Sequence, residues 1–304
     1  VIAVQSLWTR TPQWRLSRGQ LLLQTLTLCA LRRHFDFVEL VSDECGILIA
    51  DRLRWNYDSF RTDLEFIPDE IAHIWAAGKL VAQRIQSEPY AHIDNDFVLL
   101  DPLPAACRQA PVFAQGKDEP AYYLNPHHAA VFALAGLPRG AVGYNAGIIG
   151  GTDLRALHGY CDYAYGLMEK CASYGNGTVA SIIVEQAGFG HYMRAIRCPV
   201  VELIPLPLSA SNGDFSHCRF SHLWAWTKRQ ATWQAKVERR MIEEFPAEYA
   251  RFNAGYAKLG DVLAHPRRVH VKRAMGLPNG TLNGRPTSTP TPAHETTPHL
   301  SRVR

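Results

Sequence analysis

The chain has 304 residues, a formal net charge of +4, 47% hydrophobic and 20% charged residues, the composition of an ordinary globular protein. The apolar segment from Leu21 to Leu31 is closed by Arg32 and Arg33 and falls short of the ~18 residues that a membrane-spanning helix needs. None of the seven cysteines forms a C-x-x-C pair, which argues against a zinc ribbon or a disulfide framework and for buried thiols in a reducing cytoplasm.

Taken in order, the first third alternates strands and helices. Val1 to Gln5 reads as a buried strand, and with no basic segment ahead of it a secretory signal is not expected. Gln20 to His34 carries the apolar stripe of a helix, and Phe37 to Val41 reads as a second strand ending at Ser42-Asp43. Asp51 to Phe60 suits a short helix and a connection, with a third strand expected at Leu64 to Ile67. Pro68-Asp69-Glu70 opens a helix that is expected to run to about Gln86, its acids placed where the helix dipole favours them. Tyr90 to Ile93 is a fourth strand leading into Asp94-Asn95-Asp96. Such β-α repetition predicts an α/β protein, a parallel sheet covered by helices on both faces.

Beyond Pro104 the pattern loosens. Residues 105–140 are expected to hold short strands between Pro and Gly breaks, followed by a Gly-rich apolar run, Ala141 to Gly151. Helices are expected over Asp153 to Ser173 and Thr178 to Tyr192, a late strand over Val200 to Leu206, and one long helix over Thr232 to Lys258. From Pro266 the chain carries seven basic residues against Glu295 alone. This tail holds the whole positive excess, so the body offers no basic footprint for nucleic acid. Its Thr- and Pro-rich composition predicts disorder. We therefore expect a domain over residues 1–265 and a basic tail over 266–304 that can touch an anionic membrane surface.

Asp94 and Asp96, at i and i+2 just past a buried strand, can turn toward one point and offer hard oxygens suited to Mn²⁺ or Mg²⁺. In an open α/β sheet that place, beyond the carboxyl ends of the strands, is where ligands bind. His222 is a candidate third metal ligand, through a neutral ring nitrogen. Lys228, six residues on, is a candidate partner for a phosphate.

With Asp94-Asn95-Asp96, Asn145-Ala146-Gly147, Glu185-Gln186 and His222 to Lys228 in that order, the chain resembles GT-A glycosyltransferases. It is most similar to their retaining, glycogenin-like type, in a little-studied bacterial branch. Ala225 stands where that family has glycine, and Glu185 where it has aspartate. The resemblance implies a mixed, mostly parallel central sheet flanked by helices, and a metal-dependent transfer of sugar from a nucleotide donor, UDP-linked, to a hydroxyl. The acceptor would be a glycan, a lipid-linked or a small molecule.

The resemblance also implies roles. Asp94, Asp96 and His222 would hold the metal, and Lys228 the diphosphate. Asn95, Asn145 and Gly147 would line the donor pocket, with Glu185 and Gln186 at the reacting carbon. Lys79 would meet the donor sugar or a carboxylate, and Ser6 and Asp43 the nucleoside. A cytoplasmic protein, peripheral at the inner membrane face, is expected. Two alternatives stay open: a metal-dependent phosphatase or nucleotidyltransferase using the same acids, and a catalytically degenerate glycan-binding scaffold.

Overall fold

Ile2 to Leu7 forms the first strand, β1, and its alternation already assigns the two faces of a sheet: Val4 packs into one apolar core, Ala3 and Leu7 into another. In a computed structural model of the chain, residues 1–11, 16–204, 219–223, 230–260 and 262 are described. The first helix, α1 (Arg18–Leu31), starts in a capping box between Ser17 and Gln20. The chain then runs through β2 (Val38–Ser42), α2 (Glu44–Leu53), β3 (Ser59–Arg61), α3 (Ala76–Arg84), β4 (Tyr90–Ile93) and β5 (Phe97–Leu99). It continues with α4 (Ala105–Gln109), β6 (Phe113–Lys117), α5 (Pro120–Leu124), α6 (Ala129–Ala135), β7 (Tyr144–Gly151) and α7 (Leu154–Lys170). Next come α8 (Gly177–Ile182), a π-helical turn (Ile183–Ala187), α9 (Gly188–Ala195), β8 (Val201–Glu202), β9 (Phe220–His222), α10 (Ala231–Glu244) and α11 (Pro246–Tyr256).

The central sheet has seven strands in the order β3-β2-β1-β4-β7-β6-β8. Every neighbouring pair is parallel except the two that involve β7, which runs against the rest. One face carries α3, α6, α7, α8 and α9; the other carries α1, α2, α10 and α11. This is the mixed, mostly parallel, helix-flanked sheet that the resemblance implies. The described cysteines are free thiols, and among the described residues no helix is long and apolar enough to cross a membrane.

Five local expectations need correction. The short helix expected from Asp51 starts earlier, as α2 at Glu44–Leu53, where the Asp43 side chain caps it. The third strand lies at Ser59–Arg61, and Asp63–Phe66 is a 3-10 turn instead. Leu64 and Ile67 are both buried while Phe66 between them is exposed. Apolar residues three apart suit a helical turn, not the period of two that a strand requires. The helix expected from Pro68 begins only at Ala76, after a separate turn at Asp69–Ile71. The strand-rich reading of residues 105–140 gives way to α4, α5 and α6, with β6 the one strand there. The long final helix is two, because Pro246, which lacks an N–H and locks φ, opens a new helix after Phe245. The tail from residue 266 lies outside the described residues.

Candidate active site

The strands β1, β2 and β4 run side by side and end on one edge of the sheet. β4 is buried along its whole length, and the chain leaves it at Asp94. The Phe97 N–H donates to the Asp94 carbonyl at 3.0 Å, closing a tight turn around Asn95 and Asp96. Asn95 holds that turn down. Its Nδ2 donates to the Ser6 carbonyl at 2.8 Å, and its own carbonyl accepts from Thr27 Oγ1 at 3.0 Å. Asp94 and Asp96 stand on either side of the tethered residue.

β5 then leaves the main sheet and pairs antiparallel with β9, placing His222 opposite Phe97. The Leu223 N–H donates to the Asp96 carbonyl at 3.0 Å, and Phe97 stacks on Phe220 with ring centres 4.6 Å apart. This small ribbon fixes His222 beside the turn, its Nε2 3.5 Å from Asp96 Oδ1. Asp94, Asp96 and His222 each present a ligand atom, all within 4.8 Å of one another. Two carboxylates and an imidazole form a donor set that suits Mn²⁺ or Mg²⁺.

The reversed strand brings in the next pair. Because β7 runs against β4, its first residues lie beside the last residues of β4, with Ile148 opposite Ile93. The Asp94 N–H therefore donates to the Gly147 carbonyl at 2.9 Å, and Asn145 Oδ1 accepts from the Gly147 N–H at 3.0 Å. Glycine at 147 leaves room for the side chains around it. A Cβ there would lie 2.4 Å from Gln115 Oε1 and 2.5 Å from His222 Cε1. Gln115 sits in the irregular stretch of β6 between Ala114 and Gly116, buried, with no hydrogen-bond partner for its Oε1 among the described residues.

Behind Asp94 lies a buried ion triad. Lys79 Nζ, on α3, is 2.8 Å from Asp94 Oδ1 and 2.6 Å from Glu185 Oε1, and it donates to the Ala146 carbonyl at 3.2 Å. Burial pushes the Asp94 and Glu185 carboxyls up, and the Lys79 charge draws both back; Glu185 rests at about 7. Burial works against the Lys79 ammonium, but the Asp94 and Glu185 charges outweigh it and raise its pKa. Asp94 and Asp96 lie close enough for their negative charges to oppose one another, which a divalent cation would relieve.

Glu185 and Gln186 occupy the π-helical turn and diverge. Glu185 is wholly buried on Lys79. Gln186 Oε1 lies 2.9 Å from the hydroxyl of Tyr123, which is also 2.8 Å from Asp118 Oδ2.

Ser6 and Asp43 reach the expected edge of the sheet, where each is engaged by the protein. Ser6 Oγ pairs with His92 Nε2 at 3.0 Å. His92 is buried, which holds its pKa well below the usual value and keeps it neutral. The Asp43 carboxylate caps α2 through the Gly46 N–H at 2.8 Å and accepts from the Thr9 N–H at 2.7 Å, from Thr9 Oγ1 and from the Arg10 N–H. Lys228 lies outside the described residues.

Gln115, Asp118, Tyr123 and His92 were not identified from sequence. They are isolated polar residues in apolar or irregular stretches, and only the crossing of β6, α5 and the π-helical turn brings Asp118, Tyr123 and Gln186 together.

Among curated protein sequences, none matches this chain. Of solved structures, the galactosyltransferase LgtC in complex with donor and acceptor sugar analogs is 13% identical, over 62% of this chain and 72% of that one, at a TM-score of 0.38. An active-site mutant of LgtC aligns at 13% identity over 62% and 71%, also at 0.38. The family of unknown function DUF6734 matches residues 3–254, and the chain belongs to that family.

Proposed function

We propose that the chain is a metal-dependent glycosyltransferase of the GT-A type, moving a sugar from a nucleotide donor, UDP-linked, to a hydroxyl acceptor with retention. The observation that carries this reading is the convergence of Asp94, Asp96 and His222 at the carboxyl edge of the sheet. The three come from two distant segments and meet next to a glycine that leaves them room. Asp43, by contrast, spends its carboxylate on backbone N–H groups and a threonine hydroxyl. The donor set of Asp94, Asp96 and His222 fits Mn²⁺ or Mg²⁺, which when bound would neutralise charge on a departing diphosphate.

The chain's own residues would divide the remaining work. Asn95 and Asn145 hold the backbone around the acids. Lys79 sets the charge of Asp94, and Glu185 holds Lys79. Gln186 faces the reacting carbon, and Lys228 meets the diphosphate. Residues 1–265 form the catalytic domain on this reading, while the basic segment from 266 brings a cytoplasmic enzyme to an anionic membrane that displays a lipid-linked acceptor.

Calorimetric titration tests the reading. The protein should bind UDP in the presence of Mn²⁺ and lose that binding in excess EDTA, and it should release UDP from a panel of UDP-sugars. Metal-independent UDP binding, or release of inorganic phosphate from phosphate esters instead, would overturn it.

A further inference from the structure

We propose that Gln115 is a positioning residue for His222: when a metal ion binds, the Gln115 amide oxygen accepts the proton of His222 Nδ1 and so holds Nε2 toward the ion. The inference rests on the metal site of the reading above; geometry and burial are what single out Gln115.

Gln115 stands on β6 where its pairing with β7 slips. Ala114 lies opposite Ile149 and Gly116 opposite Asn145, so Ala146, Gly147 and Ile148 all lie against Gln115. An irregularity of this kind re-aims a side chain. The backbone of Gln115 is fixed from the other side, where its carbonyl accepts from the Ile204 N–H at 2.8 Å.

The side chain lies over Gly147. Its Oε1 is 2.4 Å from the point where a Cβ of residue 147 would stand, and His222 Nδ1 is 2.8 Å from that same point. The missing Cβ therefore leaves an amide oxygen and one edge of the imidazole side by side over the same α-carbon. The other ring nitrogen, Nε2, is the one 3.5 Å from Asp96.

Gln115 is 1% exposed, and its Oε1 has no hydrogen-bond partner among the described residues. A buried oxygen left in that state costs stability. Other donors around Gly147 are committed. The Asp94 N–H goes to the Gly147 carbonyl and the Gly147 N–H to Asn145. Lys79 is held by Asp94, Glu185 and the Ala146 carbonyl. The imidazole can supply what the oxygen lacks. A neutral ring that offers Nε2 to a metal carries its proton on Nδ1, and that proton is ordinarily given to an outer acceptor that fixes tautomer and ring direction together. The last torsion of a glutamine side chain is broad, so Oε1 can swing onto Nδ1 with the backbone in place.

Calorimetric titration of the whole chain with Mn²⁺ alone, with thermal melts of the metal-free chain, provides the test. Gln115→Met keeps the length of the side chain and leaves only a weak thioether acceptor. It should weaken Mn²⁺ binding about 10- to 100-fold, while the Tm of the metal-free chain stays the same or rises because an unsatisfied oxygen has been removed. Gln115→Glu, which keeps an acceptor, should retain the affinity. On a His222→Ala background Gln115→Met should cost nothing further, because the residue acts through the ring. Unchanged affinity in Gln115→Met overturns the inference, as does an equal loss with and without His222, a loss in Gln115→Glu as large as in Gln115→Met, or a lower metal-free Tm in Gln115→Met. In each of those outcomes the wild-type chain still binds Mn²⁺ and the metal reading stands. A wild-type chain that binds no Mn²⁺ overturns both.

Discussion

Asp43 and Asp94 invite comparison. Both are aspartates placed just beyond a buried strand, β2 and β4, on the same edge of the sheet. Burial raises the pKa of both. They differ in what surrounds them. Asp43 accepts from backbone N–H groups and a threonine hydroxyl, and so closes a loop and caps a helix. Asp94 faces a second acid across a turn, with Lys79 behind it. Place in the fold makes both look like ligand contacts, whereas their partners differ: Asp43 is held by neutral donors, and Asp94 by an ammonium beside a second acid.

The comparison breaks first at Asp96. Asp96→Asn should weaken Mn²⁺-dependent UDP binding by on the order of 100-fold, since a lost ligand should cost at least as much as a lost outer-shell partner. It should also abolish the rise in Tm that Mn²⁺ gives the wild-type chain through mass action. Calorimetry and thermal melts check both, and a variant that still melts higher with Mn²⁺ would take the metal role away from the pair.

Next in size is the triad behind Asp94. Lys79→Met leaves Glu185 and Asp94 buried without their cation, which should cost about 3–5 kcal/mol of stability; adding Glu185→Gln should recover part of it. The pH dependence has a definite sign. Glu185 titrates near 4.5 when unperturbed and at about 7 in the fold. Between those values the folded chain holds a proton that the unfolded chain has released. Its contribution to stability is therefore fully present below about 4.5 and is lost as pH rises through about 7. Glu185→Gln should remove that slope in urea melts taken across the window. A slope that survives the substitution would assign it to another group.

The smallest effect should be at Asp43. Asp43→Asn keeps one oxygen for the cap but turns an amide NH2 toward the Thr9 and Arg10 N–H groups, and should lower stability by roughly 1–3 kcal/mol, while leaving the affinity for Mn²⁺ and UDP unchanged. A selective loss of UDP affinity at unchanged Tm would instead make Asp43 a nucleoside contact and erase the contrast with Asp94.

The same contrast shows how far the sequence could be read. Tyr90 to Ile93 is an unbroken buried strand, and the acids that interrupt apolar sequence after it are visible without a structure. β1 and β2 are read as easily, because continuous burial imposes a run of apolar residues. β3 is not. At three residues, none of them buried, it leaves no hydrophobic period to detect. The ribbon of β5 and β9 is equally hidden, since Phe97 and His222 are far apart in the chain and only their pairing places the imidazole. His222 stands out in sequence through its neighbours, whereas Asp118 and Tyr123 have no such frame. They meet Gln186 only through the fold that joins these segments.

The π-helical turn at Ile183–Ala187 has a consequence of a different kind. It absorbs one surplus residue between two ordinary helices, α8 and α9. A descendant that lost one residue from this turn would keep both helices and their packing, yet its Glu185 and Gln186 would no longer diverge toward Lys79 and Tyr123. At this one point, selection for a stable fold and selection for a working site would favour different descendants. Drift in the length of this turn would therefore show whether a lineage has kept the site or only its shape.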